Sequence, residues 1–339
     1  MSLKNLDLTK IDITLKWLNL KVKGISNILM VKVITNPTAA NLGPLFDIGG
    51  ARLNGEESGL CMIVDGSIKK DPGLAIESSG AYPLHNDDKL ADRAVENIFQ
   101  EKGLEGGLNI AIRNNMKPGG VGASGARAVA IIEIINQLYD LKLTEKEKIL
   151  YASFGEPNKH LDNVVPGVVG GIVVSSRVAD AQLPHYSRLR IPQNITPSLI
   201  VPLDLYKSGG TAEARKFGDL NFSLPDVVKA TELSALMIAG INEDDFGKVR
   251  ASVNDYSAWE KSITYVRNEK GVYGINILEL DRRLCQAVGP EAVVTPSGAG
   301  PAMLVLTSNP AVELRARIAA IAIYKDFHHE AKAFDVRFS

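Results

Sequence analysis

Lys117-Pro-Gly-Gly-Val-Gly-Ala-Ser-Gly-Ala-Arg127 is the stretch on which the reading of this chain turns. Before it, Leu108–Arg113 alternates apolar and polar residues, the period of a β-strand. After it, Ala126–Leu138 holds the run Ala-Val-Ala-Ile-Ile-Glu-Ile-Ile, apolar almost all round, as a buried helix is. A strand, a Gly-rich loop and a helix place unpaired backbone N–H groups at the helix start, where the helix dipole adds partial positive charge. That combination is an anion site. Gly119, Gly120, Gly122 and Gly125 let the backbone come close to phosphate oxygens, and Ser124 adds a hydroxyl for a phosphate or a metal ion. Arg127 falls in the expected first turn, where its charge opposes the dipole and implies a compensating anion. No Gly-Lys-Ser/Thr follows at P-loop spacing, and the pattern is not a Rossmann GxGxxG. On this motif alone, a tight strand–helix turn that binds nothing stays open.

Outward from the loop, the sequence divides into an irregular succession of strands and helices. Val31–Thr35 and Gly59–Val64 read as strands, and Asp87–Glu101 as a helix with Leu90, Ala94 and Ile98 on one face. Thr144–Phe154 reads as a helix opened by a capping box, Thr144 with Glu147. Val164–Ser175 is Gly-interrupted and ends in a strand. Leu183–Thr196, with two prolines and several polar residues, marks the boundary between two domains, 30–192 and 193–339. Beyond it come a strand Ser198–Leu203, a helix Pro225–Ala239, a helix near Trp259 and a strand Tyr273–Ile277. A helix Leu278–Ala287, a strand Ala302–Thr307, a helix Ala311–Phe327 and a terminal strand Phe334–Phe338 complete the chain. This order predicts an α+β fold and not a doubly wound sheet. Residues 1–29 read as an appended N-terminal extension without catalytic role.

The bulk numbers fit that division. The 339 residues exceed one comfortable core, and 45% hydrophobic with 23% charged is ordinary for a globular protein. A net charge of -1, from 38 basic and 39 acidic residues, gives no nucleic-acid footprint. No apolar run reaches membrane-spanning length and no signal-peptide core opens the chain, so no membrane partner is expected and the cytoplasm is the expected compartment. The two cysteines, Cys61 and Cys285, stand in apolar contexts without ligand spacing and read as buried free thiols. The pair His328–His329 reads as surface, since neighbours on a helix face different ways and no third ligand is near.

Four further segments change the weight of the glycine loop. Pro37-Thr-Ala-Ala-Asn-Leu-Gly-Pro-Leu-Phe-Asp-Ile-Gly49 resembles the SANLGPGFD substrate segment of homoserine kinases. Gly120–Ala126 resembles the GLGSSAA ATP loop of the GHMP kinase superfamily, and His160-Leu-Asp-Asn-Val-Val-Pro-Gly-Val-Val-Gly-Gly171 its HxDNVAPAxxGG segment. Thr211-Ala-Glu-Ala-Arg215 is similar to TKEAR, and Pro296-Ser-Gly-Ala-Gly-Pro301 to the SGAGP loop. All five stand in family order between Met30 and about Leu306. The resemblance implies the GHMP kinase fold: an N-terminal domain like ribosomal-protein and elongation-factor domains, a C-terminal ferredoxin-like domain, and a site between them.

It also implies transfer of the ATP γ-phosphoryl group to the hydroxyl of a small alcohol, homoserine first, with Mg2+ as cofactor. Other expected acceptors are threonine, mevalonate, shikimate and pantoate, and a non-catalytic nucleotide-binding homologue is the reading from another class. By the resemblance, Lys117, Pro118, Gly119, Gly120, Val121, Gly122, Ala123, Ser124, Gly125 and Arg127 line the phosphates, with Ser297 and Gly298 closing the site. Ser124 and Glu156 match the metal-binding positions, and a hard cation wants such oxygen ligands. Asp47 orients the reacting hydroxyl or accepts its proton, and Thr211 lies near the transferred phosphate. Asn41, His160, Asn163 and Arg215 match substrate contacts, an arginine fork suiting a carboxylate. Taken alone, Asp47 would be a turn residue, Glu156 a solvated helix end, His160 a structural histidine and Arg215 a surface charge. A homodimer is the expected assembly. The chain departs from the family at Leu45, Ala123, Gly125 and Leu90, and Asp255–Lys261 lacks the arginine of the EPxR segment. Lys261 could stand in only as a point charge.

Overall fold

The computed structural model describes residues 29–83, 89–156, 159–176, 183–205, 223–254 and 277–339. Its first half holds two four-stranded sheets. One has the order β1-β4-β6-β5, from β1 (Met30–Thr35), β4 (Met62–Lys69), β5 (Gly73–Ser79) and β6 (Gly107–Asn114). Within it β5 and β6 run parallel, joined through α1 (Leu90–Lys102), and the other pairs are antiparallel. The second sheet has the order β2-β3-β7-β8, from β2 (Thr38–Ala40), β3 (Gly49–Arg52), β7 (Ile172–Ser176) and β8 (His185–Leu189). Between and upon these sheets pack α2 (Ala123–Leu138), α3 (Glu145–Ser153) and α4 (Val164–Val169). Helix α2 packs on β1 and β4, Ile134 lies against Gly66 of β4, and Ile131, Ile134 and Ile135 are all fully buried, which is why its sequence is apolar almost all round. The capping box of α3 forms as expected: Thr144 Oγ1 accepts from Glu147 N at 3.3 Å, and Glu147 Oε2 accepts from Thr144 N at 2.9 Å.

The second half is built on one antiparallel sheet of order β10-β11-β9-β12, from β9 (Thr196–Pro202), β10 (Ala292–Pro296), β11 (Met303–Thr307) and β12 (Ala331–Asp335). In chain order its strands are arranged 4-1-3-2, the ferredoxin-like arrangement. Helices α5 (Leu224–Glu243) and α6 (Phe246–Asn254) follow β9; α7 (Ile277–Val288) precedes β10, and α8 (Pro310–Asp326) lies between β11 and β12. Alternation along the strands buries both faces. Ile200, Met303 and Val305 join a core with α7 and α8, whereas Leu199, Val201, Leu304 and Leu306 join the core of the first half. The α+β architecture therefore stands.

Several boundaries differ from the sequence reading. The segment read as a boundary, Leu183–Thr196, contains β8, which pairs with β7 in the first half, and only residues 190–195 separate it from β9. The strand expected at Gly59–Val64 is β4, displaced toward Lys69. Phe334–Phe338 splits: Phe334 and Asp335 end β12, while Phe338 bridges to Leu53 in the first half. Ile277 opens a helix instead of ending a strand. The extension before residue 29, the helix near Trp259 and Tyr273–Asn276 lie outside the described residues.

Candidate active site

Helix α2 begins at Ala123, three residues earlier than the sequence suggests, so Ala123, Ser124 and Gly125 form its first turn. Gly122 is its N-cap at φ 67° and ψ 26°, and no side chain caps the helix. The first return bond runs from Ala126 N–H to Gly122 O at 2.9 Å. Helix geometry leaves the preceding N–H groups of that turn without intrahelical partners, and the turn carries no acidic residue. Arg127 consequently falls in the second turn, not the first, and is buried within the protein at 2% exposure.

The glycines before the helix prove to be packing residues as much as a ligand cradle. Gly119, Gly120 and Gly122 all have positive φ. A Cβ on Gly120 would lie 2.4 Å from Ser297 O, and one on Gly122 would lie 1.8 Å from Thr38 Oγ1. The loop is thus pressed between β2 and the 297–302 turn of the second half. Backbone bonds fix it there: Thr38 N–H donates to Val121 O at 3.2 Å and Ala302 N–H to Gly119 O at 3.2 Å. Ser297, fully buried, donates its hydroxyl to Gly120 O at 2.5 Å. Tyr324 holds the same turn through Pro301 O at 2.8 Å, and its complete burial pushes the phenol pKa up.

Lys117, expected at the phosphates, is 1% exposed, and its ammonium donates to Leu205 O, shortly beyond the end of β9. Desolvation pulls its pKa down to about 8 against an opposing pull from the Asp204 carboxylate. Burial would raise the Asp204 carboxyl, but a 2.8 Å bond to His329 Nδ1 and a backbone bond from Glu330 bring it below its usual range. His329, read as a bare surface residue, is therefore the partner of Asp204.

The 41–48 loop between β2 and β3 supplies the other side. Asn41 is 4% exposed with φ 74°. Its Nδ2 donates to Gly298 O at 2.8 Å and its Oδ1 accepts from Asp47 N–H at 3.0 Å. Gly298 N–H donates to Ala40 O at 3.0 Å, so the Gly298 turn and the start of this loop are joined twice. Asp47, at φ 60°, points its Oδ1 toward His160 Nδ1 across 3.9 Å. Leu45, which replaces a family glycine, turns into the core at 0% exposure and packs against Gly49.

Glu156, His160 and Asn163 lie within eight residues of sequence and reach three parts of this arrangement. Glu156 is buried, and its Oε1 lies 3.3 Å from where a Cβ on Gly125 would be, against the first turn of α2. His160 faces Asp47. Asn163 packs its Cβ on Gly125 and accepts from Thr38 Oγ1 at 2.7 Å. Thr38 is the member of the site that sequence reading passed over; its place within the Pro37–Gly49 segment, shortly before Asn41, was the available signal. Thr211 and Arg215 lie outside the described residues, as does Lys261. A helix N-terminus without a side-chain cap fits a nucleotide phosphate. One carboxylate and one hydroxyl at that turn fit Mg2+, which is held through few protein oxygens and mainly through phosphates and water.

Residues 89–171, which include α1, the glycine loop, α2 and Asn163, match the GHMP kinases N terminal domain. A homoserine kinase of Saccharolobus islandicus (strain Y.G.57.14) is 27% identical over 278 residues, covering 80% of this chain and 84% of that relative. A homoserine kinase of Methanococcus maripaludis is 28% identical over 229 residues, 63% of this chain and 70% of its own length. Among solved structures, homoserine kinase from Cytophaga hutchinsonii superposes with a TM-score of 0.75 at 22% identity, covering 94% of this chain and 97% of that one. L. major mevalonate kinase, in complex with R-mevalonate, gives 0.64 at 16% identity over 93% and 98%. The matched domain and the fold are those of one class, the GHMP-type kinases, which are ATP-dependent phosphotransferases. Within that class the chain resembles the homoserine kinases.

Proposed function

We propose that this chain transfers the γ-phosphoryl group of ATP to the side-chain hydroxyl of a small amino-acid alcohol, converting L-homoserine to O-phospho-L-homoserine in threonine biosynthesis. The observation that carries the reading is the reach of Glu156, His160 and Asn163. They set a carboxylate at the uncapped start of α2 and a histidine beside Asp47, which supports a site with a phosphate end and a hydroxyl end served by one short stretch. Phosphoryl transfer needs positioning and charge neutralisation more than covalent help.

In this reading the N–H groups of Ala123, Ser124 and Gly125 bind phosphate oxygens. Ser124 and Glu156 hold Mg2+, which when bound neutralises charge on the transferred group. Asp47 orients the acceptor hydroxyl or takes its proton, with His160 beside it. Asn163 turns toward the acceptor, and Arg215 and Thr211 keep the roles that their sequence motif implies. Asn41 holds Asp47 from behind, because both polar ends of its carboxamide are engaged within the protein. A cytoplasmic homodimer belongs to the same reading.

The test is ADP release with ATP and Mg2+ across homoserine, threonine, mevalonate, shikimate and pantoate. Homoserine gives the highest kcat/KM, and Asp47→Asn lowers kcat by about 10²–10⁴ while leaving the KM for ATP in place. No acceptor-dependent ADP release from any of the five would refute the reading. A preference for an alcohol without an amino group would move the assignment to that acceptor.

A further inference from the structure

We propose that Thr38 is a positioning residue that fixes which end of the Asn163 carboxamide faces the acceptor. The inference rests on the kinase reading above and deepens it. Thr38 lies at the start of β2 with 0% exposure. Its backbone N–H reaches Val121 O in the glycine loop at 3.2 Å, and its hydroxyl donates to Asn163 Oδ1 at 2.7 Å. Gly122 packs against that hydrogen bond, since a Cβ there would sit 1.8 Å from Thr38 Oγ1 and 2.9 Å from Asn163 Oδ1. The bond is therefore enclosed by the loop itself.

An Asn side chain offers an acceptor at one end and two donors at the other, and the two ends are nearly equal in shape. Something must choose between them. Here the Thr38 hydroxyl proton chooses. With Oδ1 turned inward, that proton has an acceptor. With the amide turned over, a donor in a fully buried position would lose the acceptor it now has, which is costly. Oδ1 is thus held at Thr38, and Nδ2 is held on the opposite side of the carboxamide. Among the described residues the Asn163 side chain is bonded through Oδ1 to Thr38, while Asn163 Cβ and Glu156 Oε1 both border Gly125 at the start of α2. The donor end of Asn163 is the end left for the acceptor alcohol or the oxygen being transferred. Both are hydrogen-bond acceptors, and an inverted amide would meet them with a lone pair.

Thr38→Val keeps the branched shape and removes the hydroxyl; Thr38→Ser keeps the hydroxyl. Thr38→Val raises the KM for the acceptor about tenfold, the size of one lost hydrogen bond, with the KM for ATP and the melting temperature little changed. Thr38→Ser restores the wild-type KM. On an Asn163→Ala background Thr38→Val has no further effect, because the residue acts through Asn163. An unchanged acceptor KM in Thr38→Val, or effects of the two substitutions that simply add, overturns the inference. If the wild-type protein turns over none of the five acceptors, the kinase reading fails separately. The inference is then judged without turnover by the Asn163 side-chain NH2 signals in a ¹⁵N–¹H spectrum, assigned with Asn163→Ala. They move in Thr38→Val and stay in Thr38→Ser; signals unmoved by Thr38→Val overturn it. If Thr38→Val does not fold, Thr38→Ala with the same cycle replaces it.

Discussion

Lys117 is a cation in a place that desolvates it. Its folded pKa of about 8 lies below the ordinary 10.5, so folding favours the neutral amine. The sign follows: between pH 8 and 10.5 the unfolded chain binds the proton and the folded chain does not, so stability rises with pH across that window. Below about pH 8 the penalty is constant, on the order of 3 kcal/mol at full burial. Lys117→Met removes the titration while filling the same space. Urea unfolding at several pH values should show the variant's relative stability falling by about that amount as pH rises from 8 to 10.5. A difference that does not vary with pH would mean that the ammonium is not desolvated. Nothing in the sequence announces this burial, because a lysine beside a glycine loop reads as a phosphate ligand. Leu45 shows the same limit. The sequence marks it only as a departure from the family pattern, yet among left-handed residues, Asn41, Leu42, Gly43 and Asp47, its side chain turns into the core. Side-chain direction in a loop follows from φ values that periodicity does not encode. Asp47, in contrast, stands inside the quoted Pro37–Gly49 segment, and the structure sets it beside His160.

At the scale of elements, what could be read was what carries its own period or its own cap. Helix α2, the α3 capping box, β6 and α8 were legible for that reason. Strand β5 was not, because Gly-Leu-Ala-Ile-Glu-Ser-Ser is half-exposed and becomes a strand only by pairing with β6. Strands β2 and β3 are three and four residues long and rich in small residues, too short for any pattern. The start of α2 was misplaced because Ala-Ser-Gly looks like loop; the real stop is Gly122, whose left-handed φ ends the turn. That makes Gly122 the residue on which the element depends. Gly122→Ala forces a side chain into left-handed backbone and drives its Cβ into Thr38 Oγ1. The two costs together are about 2–4 kcal/mol. Urea unfolding should show that loss, accompanied by a weaker affinity for ATP in calorimetry as the first turn of α2 shifts. Wild-type stability in the variant would mean that β2 and the loop are not packed as closely as described.

The whole molecule is less divisible than its sequence suggests. A boundary near 192 separates the sheets, but not the core: Leu199, Val201, Met237, Ile241, Val249, Val253, Leu304 and Leu306 from the second half pack in one cluster with the first. The 38–41 segment and the 117–122 and 297–302 loops are bonded to one another around the site, and Phe338 returns to Leu53. Apolar burial drives folding roughly in proportion to area, so a core shared across the boundary couples the halves. The chain should therefore unfold in urea as one cooperative step, seen at the same midpoint by circular dichroism and by loss of ATP binding, although two-state behaviour is not the rule at this size. Mg2+ and ATP at a hundred times their Kd should stabilise the fold by about 2.7 kcal/mol and move the entire transition together. Independent halves would behave otherwise. The glycine loop proposed to hold the nucleotide belongs to the first, so ligand would shift only that half's transition and leave a second, ligand-insensitive step from α7, α8 and their sheet. Observing that second step would show that the hydrogen bonds at Gly298, Gly120 and Gly119 join the halves without coupling their stability.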